Sequence, residues 1–177
     1  MRLARELARV LGADAVSVDN AVRAEHATDR WFASALPDVV VFASSTAQVS
    51  KLLAFAQKHR VPVTPRGAGV GYVGGCVPSH GGVALSLAGM NRIKELHFAD
   101  AVAVVEPGVI TGQIQAAARK AGLFYPPDPA SLNECSIGGN IATNAGGPRC
   151  LKYGVTRHYV LGLEVVLAGG KILRTGG

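Results

Sequence analysis

Glycines crowd one short stretch of the chain in a pattern that suits the binding of phosphate. Residues 65–82 contain seven glycines, and Gly69, Gly71 and Gly74 fit the spacing G-x-G-x-x-G directly after a predicted strand. Small residues in succession let backbone N–H groups converge on phosphate oxygens, as in an anion nest. Pro65 fixes the backbone at the entry to this loop. The stretch is a candidate phosphate-binding loop, and a tight turn between two strands is the alternative.

The same spacing occurs in Rossmann dinucleotide-binding folds, but its surroundings here differ from that fold. A Rossmann loop needs a helix that begins at the third glycine, so that the helix N-terminus faces the pyrophosphate. Here Cys76, Val77 and Pro78 lead instead to Gly81, Gly82 and another predicted strand. No Gly-Lys-Ser or Gly-Lys-Thr follows these glycines, so the sequence has no Walker A loop either.

A second glycine pair, Gly138 and Gly139, follows Ser136 at the start of a predicted short helix. A serine at this position caps a helix, and the N-terminus of a helix favours negative charge. Together with the first loop, this pair predicts two anion nests and therefore a ligand with two phosphates.

The composition is that of one packed domain with a glycine excess. The 177 residues are 49% hydrophobic and 17% charged, which is too apolar for a disordered segment. Glycine accounts for 22 residues, about 12% against a usual share of about 7%. This length leaves little room for a cofactor domain and a substrate domain together.

Charge and cysteine usage exclude several classes of protein. The net charge of +6 suits an anionic ligand, but Lys and Arg are scattered without basic runs or interleaved aromatics, which argues against nucleic-acid binding. Charged residues interrupt the opening segment, and no apolar run reaches the roughly 18 residues of a membrane span, so we expect a cytoplasmic chain with no integral membrane segment. Three cysteines without C-x-x-C and isolated histidines predict no disulfide framework and no metal site.

Local patterns predict a mixture of strands and helices. We expect an opening helix, an irregular segment over 16–37, helices over 46–60, 111–120 and 137–143, and strands over 39–42, 61–64, 83–87, 93–97, 102–105, 160–168 and 172–173. Ser45 and Gln48 predict a capping box, and Thr111 predicts a helix cap. The strand, helix and strand over 39–64 predict a βαβ unit with a parallel pair.

Several of these motifs, in their order along the chain, resemble the FAD-binding domain of the vanillyl-alcohol oxidase and p-cresol methylhydroxylase (PCMH) superfamily. The residues that carry the resemblance are 65–71, 82–87 with 90–93, 107–109, 126–129, 136–140 and 144–149. In particular, the sequence resembles the glycolate oxidase flavoprotein subunit and D-lactate dehydrogenases. The resemblance covers residues 37–177, which divides the chain into an N-terminal helix and irregular lead-in (1–36) and an FAD-binding domain (37–177).

The resemblance implies an α+β, PCMH-type fold with FAD between two portions. A small parallel βαβ subdomain lies over 39–64, and a larger, mainly antiparallel sheet with flanking helices lies over 82–173. The cofactor-binding residues that the resemblance implies are Pro65, Arg66, Gly67, Ala68, Gly69, Val70, Gly71, Pro107, Gly108, Pro127, Asp128, Pro129, Ala130, Ile137, Gly138, Gly139, Asn140, Thr143, Asn144, Gly146, Gly147 and Val166.

Position 70 departs from the superfamily in a way that bears on the cofactor. Close relatives usually have Thr there, and some members have a His that links covalently to the flavin. Val70 provides neither group, so we expect FAD to be bound non-covalently.

The activity that the resemblance implies is flavin-dependent oxidation of a 2-hydroxy acid such as glycolate or D-lactate. Relatives supply the substrate-binding groups from a C-terminal cap domain that this sequence does not contain. We therefore expect a truncated or split enzyme, inactive alone or completed by a partner chain or other oxidase subunits, and assign no catalytic residue. Arg149 and Lys152 either stabilise an anionic flavin or substrate carboxylate, or are solvated loop cations.

Two other functions fit the same motifs. One is a stand-alone FAD-binding module without turnover. The other is a flavin reductase of the enolpyruvyl-aminosugar type, whose FAD domain has the same architecture.

Overall fold

The computed structural model of the protein describes residues 2–176, which form two compact units. The first unit comprises the chain up to Gly89 and the segment from Gly162 onward, and the second is Met90–Leu161. Numbered along the chain, the elements of the first unit are α1 (Arg2–Leu11), β1 (Val16–Ser17), α2 (Asn20–Glu25), β2 (Val39–Phe42), α3 (Thr46–His59), β3 (Val63–Arg66), β4 (Val83–Ser86), β7 (Leu163–Val166) and β8 (Ile172–Thr175). Those of the second unit are β5 (Ile93–His97), β6 (Val102–Val105), α4 (Thr111–Lys120), α5 (Ile137–Thr143) and α6 (Cys150–Tyr153).

The main sheet of the first unit has the strand order β1-β2-β4-β3. Strands β2, β4 and β3 are parallel, and β1 pairs antiparallel with β2. All four residues of β4 are buried, which suits a central strand. In contrast, β3 contains Pro65, which cannot donate a ladder hydrogen bond and is tolerated in an edge strand.

This strand order corrects two predictions. The βαβ unit over 39–64 does not form a neighbouring parallel pair, because β4 lies between β2 and β3. Strand β4 belongs to this parallel group and not to the antiparallel part of the fold. Sequence periodicity shows that a strand is buried but does not show where in a sheet it inserts.

Helix α3 has one apolar face, and its two ends are capped by different means. Val49, Leu52 and Ala56 are buried along that face. The hydroxyl of Ser45 accepts a hydrogen bond from the backbone N–H of Gln48, which is one half of the predicted capping box. The other half differs, since the Gln48 side chain accepts from the backbone N–H of Ser44. The helix ends at Arg60, which takes the left-handed conformation.

The segment over 16–37 was expected to be irregular, and part of that expectation is wrong. Strand β1 and helix α2 both lie in this segment. The carboxylate of Asp19 caps α2 by accepting from the N–H groups of Ala21 and Val22. These elements have two and six residues, which is too short for hydrophobic periodicity to reveal them.

Strands β7 and β8 form an antiparallel hairpin, as predicted from the turn at Gly169 and Gly170. The Thr46 hydroxyl donates to Glu164 Oε1 at 2.7 Å, and the Ser50 hydroxyl donates to the Gly170 carbonyl at 2.6 Å. Both contacts fasten the hairpin to α3.

The second unit combines the antiparallel pair β5-β6 with helices α4 and α5. Its core contains Val109, Ile114 and Ile137. Thr111 is fully buried and does not cap α4, whose N-cap is Ile110. Its hydroxyl instead donates to the Cys135 carbonyl and accepts from the Asn140 side chain at 2.6 Å. The α+β class is confirmed, with the antiparallel part formed by two separate two-stranded ladders.

Helix α5 approaches the backbone at Pro107 closely because residue 138 is glycine. The Gly138 N–H donates to the Pro107 carbonyl at 2.8 Å. A Cβ at position 138 would lie 2.7 Å from Pro107 Cβ and 2.9 Å from its carbonyl oxygen. At Gly139, an added Cβ would meet only the Ser136 hydroxyl, at 3.3 Å.

An ion pair fastens the start of β5 to the end of β6. Glu106 keeps 3% of its side-chain exposure and accepts from Arg92 Nη2 at 2.8 Å, Arg92 Nε at 3.2 Å and the Arg92 backbone N–H at 2.9 Å. These hydrogen bonds lower the pKa of Glu106. Arg92 is 72% exposed, so solvent screening limits the strength of the pair.

The glycine contacts predict opposite effects for two neighbouring substitutions in α5. Gly138→Ala should lower the free energy of unfolding by about 1–3 kcal/mol, because the added methyl overlaps backbone that cannot easily move. Gly139→Ala should be neutral or stabilise the protein by up to about 1 kcal/mol, since alanine favours the helix. Urea unfolding of both variants measures the difference, and equal effects would contradict the close-approach account.

The ion pair predicts a pH-dependent loss of stability in Glu106→Gln. Because folding lowers the pKa of Glu106, its stabilisation is complete above the ordinary carboxyl pKa and is lost as the pH falls through the lowered value. We expect a loss of about 1–2 kcal/mol at pH 7 that shrinks below about pH 4. Urea unfolding of the parent and of Glu106→Gln at pH 7 and at a pH below 4 measures this loss of stability. The variant Asp100→Asn, at an exposed position, is the control. A loss that is independent of pH would rule out the carboxylate as its origin.

Candidate functional site

The candidate phosphate loop leaves the main sheet at the carboxyl ends of its parallel strands. Phe42 of β2 pairs with Ser86 of β4, which pairs with Arg66 of β3, so the three strands end at the same level. Ligands of sheets with parallel strands commonly bind at this edge. Residues 67–71 follow β3 directly and are therefore placed where a ligand would be expected.

The backbone N–H groups of this loop have no protein acceptor. Within residues 2–176, none of the five N–H groups of residues 67–71 donates a hydrogen bond to the protein. Gly69 has φ 71°, a conformation that glycine adopts without strain. A run of free donors in a loop of small residues fits the oxygens of a diphosphate. The residues present thus fit the phosphate-bearing part of a dinucleotide cofactor.

The loop is fastened at its far end by residues that precede β2. The Arg30 N–H donates to the Gly71 carbonyl at 3.0 Å. The Gly74 N–H donates to Asp29 Oδ2 at 2.7 Å, so this donor is already used. Gly74 is therefore not one of the free donors of this loop.

The side chain of Arg66 is turned toward the protein. Its guanidinium donates to the carbonyls of Thr28 and Glu25 and lies 3.3 Å from the Cys76 sulfur. A Cβ at Gly69 would overlap this guanidinium. A side chain at position 69 would therefore displace this guanidinium, and the positive φ of Gly69 disfavours one in addition.

In the second unit, two of the predicted segments lie against each other. Besides the contact of Gly138 with Pro107, the Ile137 N–H donates to the Val109 carbonyl at 2.8 Å. Residues 107–109 and 137–138 are thus joined by backbone hydrogen bonds, with Gly108 and Ile137 buried and Pro107 and Gly138 partly exposed.

The interpretation of residues 138–140 as a second anion nest is not supported. The Gly138 N–H donates to Pro107, the Gly139 N–H to the Ser136 hydroxyl at 3.4 Å and the Asn140 N–H to the Ser136 carbonyl at 3.0 Å. These donors have protein acceptors, so residues 138–140 lack the free N–H groups that define a nest, whereas residues 67–71 have them within the described range 2–176. The sequence indicated the glycines but not where their N–H groups point.

The proline-rich segment packs on another of the predicted glycines. Gly147 has φ 128°, and a Cβ there would overlap the Asp128 carbonyl and lie 2.9 Å from the Pro129 nitrogen. The Pro127 carbonyl accepts from the Gln115 side chain at 2.7 Å. Ala130, which follows this segment, is exposed.

Arg149 is held in place and is not a freely solvated cation. Its Nε lies 3.2 Å from Asp128 Oδ2, and its guanidinium carbon lies 5.5 Å from the centre of the Phe124 ring. Lys152 is exposed, with its amine 4.9 Å from the ring centre of Tyr153. The Asp128 carboxylate offsets part of the charge that Arg149 could offer to an anion.

The remaining predicted residues make local contacts. The Thr143 hydroxyl donates to the Gly139 carbonyl at 2.9 Å, and Asn144 takes the left-handed conformation at the end of α5. An added Cβ at Gly146 would make ordinary contacts with Cys150 and Val155. Val166 lies on β7 in the first unit, paired with Ile172.

Two titratable side chains in the part of the chain that the structure describes have pKa values raised by burial. Burial raises the pKa of the Cys76 thiol, and burial raises the pKa of Tyr125 to about 12. Among the described residues, no group of three His, Cys, Asp or Glu side chains could hold a metal ion. No helix over 2–176 has the length and apolar character needed to cross a bilayer.

Sequence reasoning missed the part that residues 25–31 play beside the loop. Thr28, Asp29 and Arg30 each contact a residue within 66–74, 38 to 45 positions later in the chain. Asp29 also accepts from the Trp31 N–H at 2.7 Å, a local turn that the Asp-x-Trp sequence indicates only weakly. The long-range contacts leave no local signature.

Comparisons with known proteins agree with this geometry. The sequence model of the FAD binding domain family matches residues 37–176. The glycolate oxidase subunit GlcD of Bacillus subtilis is 51% identical over 142 residues, which are 80% of this chain and 30% of that protein. The D-lactate dehydrogenase of Anaerostipes hadrus is 43% identical over 145 residues, 82% of this chain and 30% of that protein.

Solved structures share the fold across nearly the whole chain. A 4-ethylphenol oxidase from Gulosibacter chungangensis is 30% identical with a TM-score of 0.83, covering 99% of this chain and 34% of that one. p-Cresol methylhydroxylase is 26% identical, also with a TM-score of 0.83, over 99% of this chain and 35% of that chain.

The chain thus spans about a third of the length of the proteins that it matches. Its fold is the PCMH-type FAD-binding fold, and its cofactor is FAD. The extent of the family match and the donors of residues 67–71 lead to one conclusion: the chain belongs to the FAD binding domain family.

Proposed function

We propose that this chain is the FAD-binding part of a flavin-dependent oxidoreductase that acts on 2-hydroxy acids such as glycolate or D-lactate. The observation that carries the cofactor assignment is the run of five free N–H donors after β3. The names of the relatives at 40–51% identity, among them a glycolate oxidase subunit and D-lactate dehydrogenases, support the substrate class.

Residues 67–71 hold the diphosphate of FAD through their backbone N–H groups. The remaining predicted residues take part through their backbone, and Gly138 and Gly147 let backbone segments in this part of the chain pack closely against Pro107 and Asp128. Val70 carries no group that could bond covalently to the flavin, which supports non-covalent binding. The bound FAD supplies acceptance of a hydride equivalent from the substrate carbon.

Of the two candidate cations, Arg149 is the one that contacts another predicted cofactor-binding residue, Asp128. The Asp128 carboxylate and the Phe124 ring both contact its guanidinium and restrict its movement. A fixed cation lowers the cost of charge that develops beside it more than a mobile one does.

The whole enzyme includes polypeptide beyond the residues matched here, on the same chain or on a partner chain. The matched relatives are about three times as long as the aligned segment, and this supports the proposal. The division at residue 37 between a lead-in and the FAD domain, and a cytoplasmic location, are parts of the same proposal. The family match that starts at residue 37 supports the first of these.

The second candidate function is a stand-alone FAD-binding module without turnover. The cofactor site is compatible with this function and with the oxidoreductase equally. The relatives do not favour a reductase of enolpyruvyl aminosugars.

Gly71 offers a direct test of the phosphate loop. A Cβ at this position meets nothing within 4 Å, so side chains fit without strain. Gly71→Asp should weaken FAD binding by roughly fivefold to a hundredfold, because its carboxylate repels the diphosphate. Gly71→Asn, of the same shape without the charge, should stay within about threefold of the parent. Quenching of flavin fluorescence measures both affinities, and equal loss in both variants would exclude charge repulsion as the cause.

The substrate class is tested on the protein that contains this domain, loaded with FAD under anaerobic conditions. D-lactate or glycolate should bleach the visible flavin absorption, since oxidation of the substrate reduces the cofactor. L-lactate is the matched control and should leave the spectrum unchanged. If FAD is bound but neither D-lactate nor glycolate bleaches it, the hydroxy-acid assignment is wrong and the cofactor assignment stands.

A further inference from the structure

Arg66 reaches the segment that precedes β2 with both ends of its guanidinium. Nη1 donates to the Thr28 carbonyl and lies 3.3 Å from the Cys76 sulfur. Nη2 donates to the Glu25 carbonyl at 3.2 Å. One side chain thus joins the start of the phosphate loop to two backbone positions near residue 25 and to a residue beyond the loop.

The same guanidinium supports the middle of the loop. Gly69 lies so close that an added Cβ would overlap the Arg66 Nη2 and Cζ atoms. The positive φ of Gly69 gives the turn that brings the backbone over the guanidinium. The conformation of residues 67–71 therefore depends on where Arg66 is held.

Residues 25–31 also hold the far end of the loop. The Arg30 N–H donates to the Gly71 carbonyl at 3.0 Å, and Asp29 Oδ2 accepts from the Gly74 N–H at 2.7 Å. The second oxygen of Asp29 accepts from the Trp31 N–H at 2.7 Å. The segment thus contacts the loop on both sides of the free donors.

Contacts that hold the loop in place before the ligand binds increase the affinity for that ligand through preorganisation. A loop rich in glycine loses much backbone entropy when it is ordered around a ligand. If the ordering is already present in the free protein, the ligand meets donors in place and binds more tightly.

We propose that residues 25–31 form a brace that holds residues 67–71 in their binding conformation before FAD arrives, with Arg66 and Asp29 as positioning residues and not as phosphate ligands. The proposal rests on the proposed function, since it assigns FAD to this loop. It adds a part of the molecule outside residues 37–176, the range of the family match, to the cofactor site.

The variants Arg66→Lys and Arg66→Met test whether Arg66 positions the loop or contacts the FAD phosphates through its charge. Lysine keeps the charge but is a compact ammonium that cannot replace the planar fork of arginine across three contacts. Both variants should therefore bind FAD about tenfold or more weakly, and their affinities should agree within about threefold. The salt dependence of FAD affinity should match that of the parent. An Arg66→Lys variant that binds FAD like the parent would overturn the proposal.

Chemical rescue provides a control for geometry. Guanidinium ion at low millimolar concentration should restore part of the lost FAD affinity in Arg66→Ala, because it can occupy the vacated contacts. Methylammonium, with one charge and a different shape, should not. Equal rescue by both ions, or by neither, would contradict the brace.

Asp29→Asn tests the contact between the brace and the far end of the loop, because the brace and simple electrostatics predict opposite changes in FAD affinity. Removing a negative charge near a diphosphate would strengthen FAD binding if electrostatics alone acted. The amide has one acceptor oxygen for the two donors of Trp31 and Gly74, so the brace predicts weaker binding and faster amide hydrogen exchange over residues 71–75. Tighter binding would overturn the proposal.

Circular dichroism and the thermal midpoint of each variant show whether it folds. If the Arg66 variants do not fold, the FAD affinity of Asp29→Asn tests the brace on its own. FAD binding by the parent chain distinguishes a failure of the proposed function from a failure of the brace. If it binds no FAD, the proposed function fails. If it binds FAD and the variants bind equally well, only the brace fails.

Discussion

Backbone N–H groups need acceptors, and the five successive groups of residues 67–71 have none among the described residues 2–176. Free donors of this kind are stable while water reaches them, and they form strong hydrogen bonds when an anion replaces the water. This constraint organises the first unit. The three parallel strands end at the same edge of the sheet, and the loop follows β3 at that edge. Residues before β2 contact the loop and hold it there. The family to which the chain belongs assigns FAD to such a domain, and the loop offers the donors that its diphosphate requires.

Three of the glycines in the predicted site have two different structural uses. In the first unit, Gly69 lets the loop bend over the Arg66 guanidinium. In the second unit, Gly138 and Gly147 permit close contact between backbone segments, at Pro107 and at Asp128 respectively. The first use lies in a loop whose N–H groups have no acceptor among residues 2–176, whereas the N–H of Gly138 already donates to the Pro107 carbonyl.

The sequence predicted much of this arrangement because the relevant signals are local. The strand at 39–42, the helix after Ser45 and the short helix at 137–143 follow from hydrophobic pattern and capping residues, and the structure has them at those positions. The glycine-rich loop was recognisable from spacing and from the absence of a following helix. Long-range features were not accessible in this way. The insertion of β4 between β2 and β3, the direction of the Arg66 side chain and the use of the N–H groups of residues 138–140 depend on tertiary contacts that no short pattern encodes.

The central claim is that the backbone donors of residues 67–71 bind the diphosphate of FAD. Amide ¹H–¹⁵N spectra of the chain, recorded during titration with FAD, follow each of these donors separately. The account predicts that the signals of residues 67–71 move strongly downfield as hydrogen bonds to phosphate form, while that of Gly74, which already donates to Asp29, moves little. Saturable FAD binding that leaves the amides of residues 67–71 unshifted would contradict it.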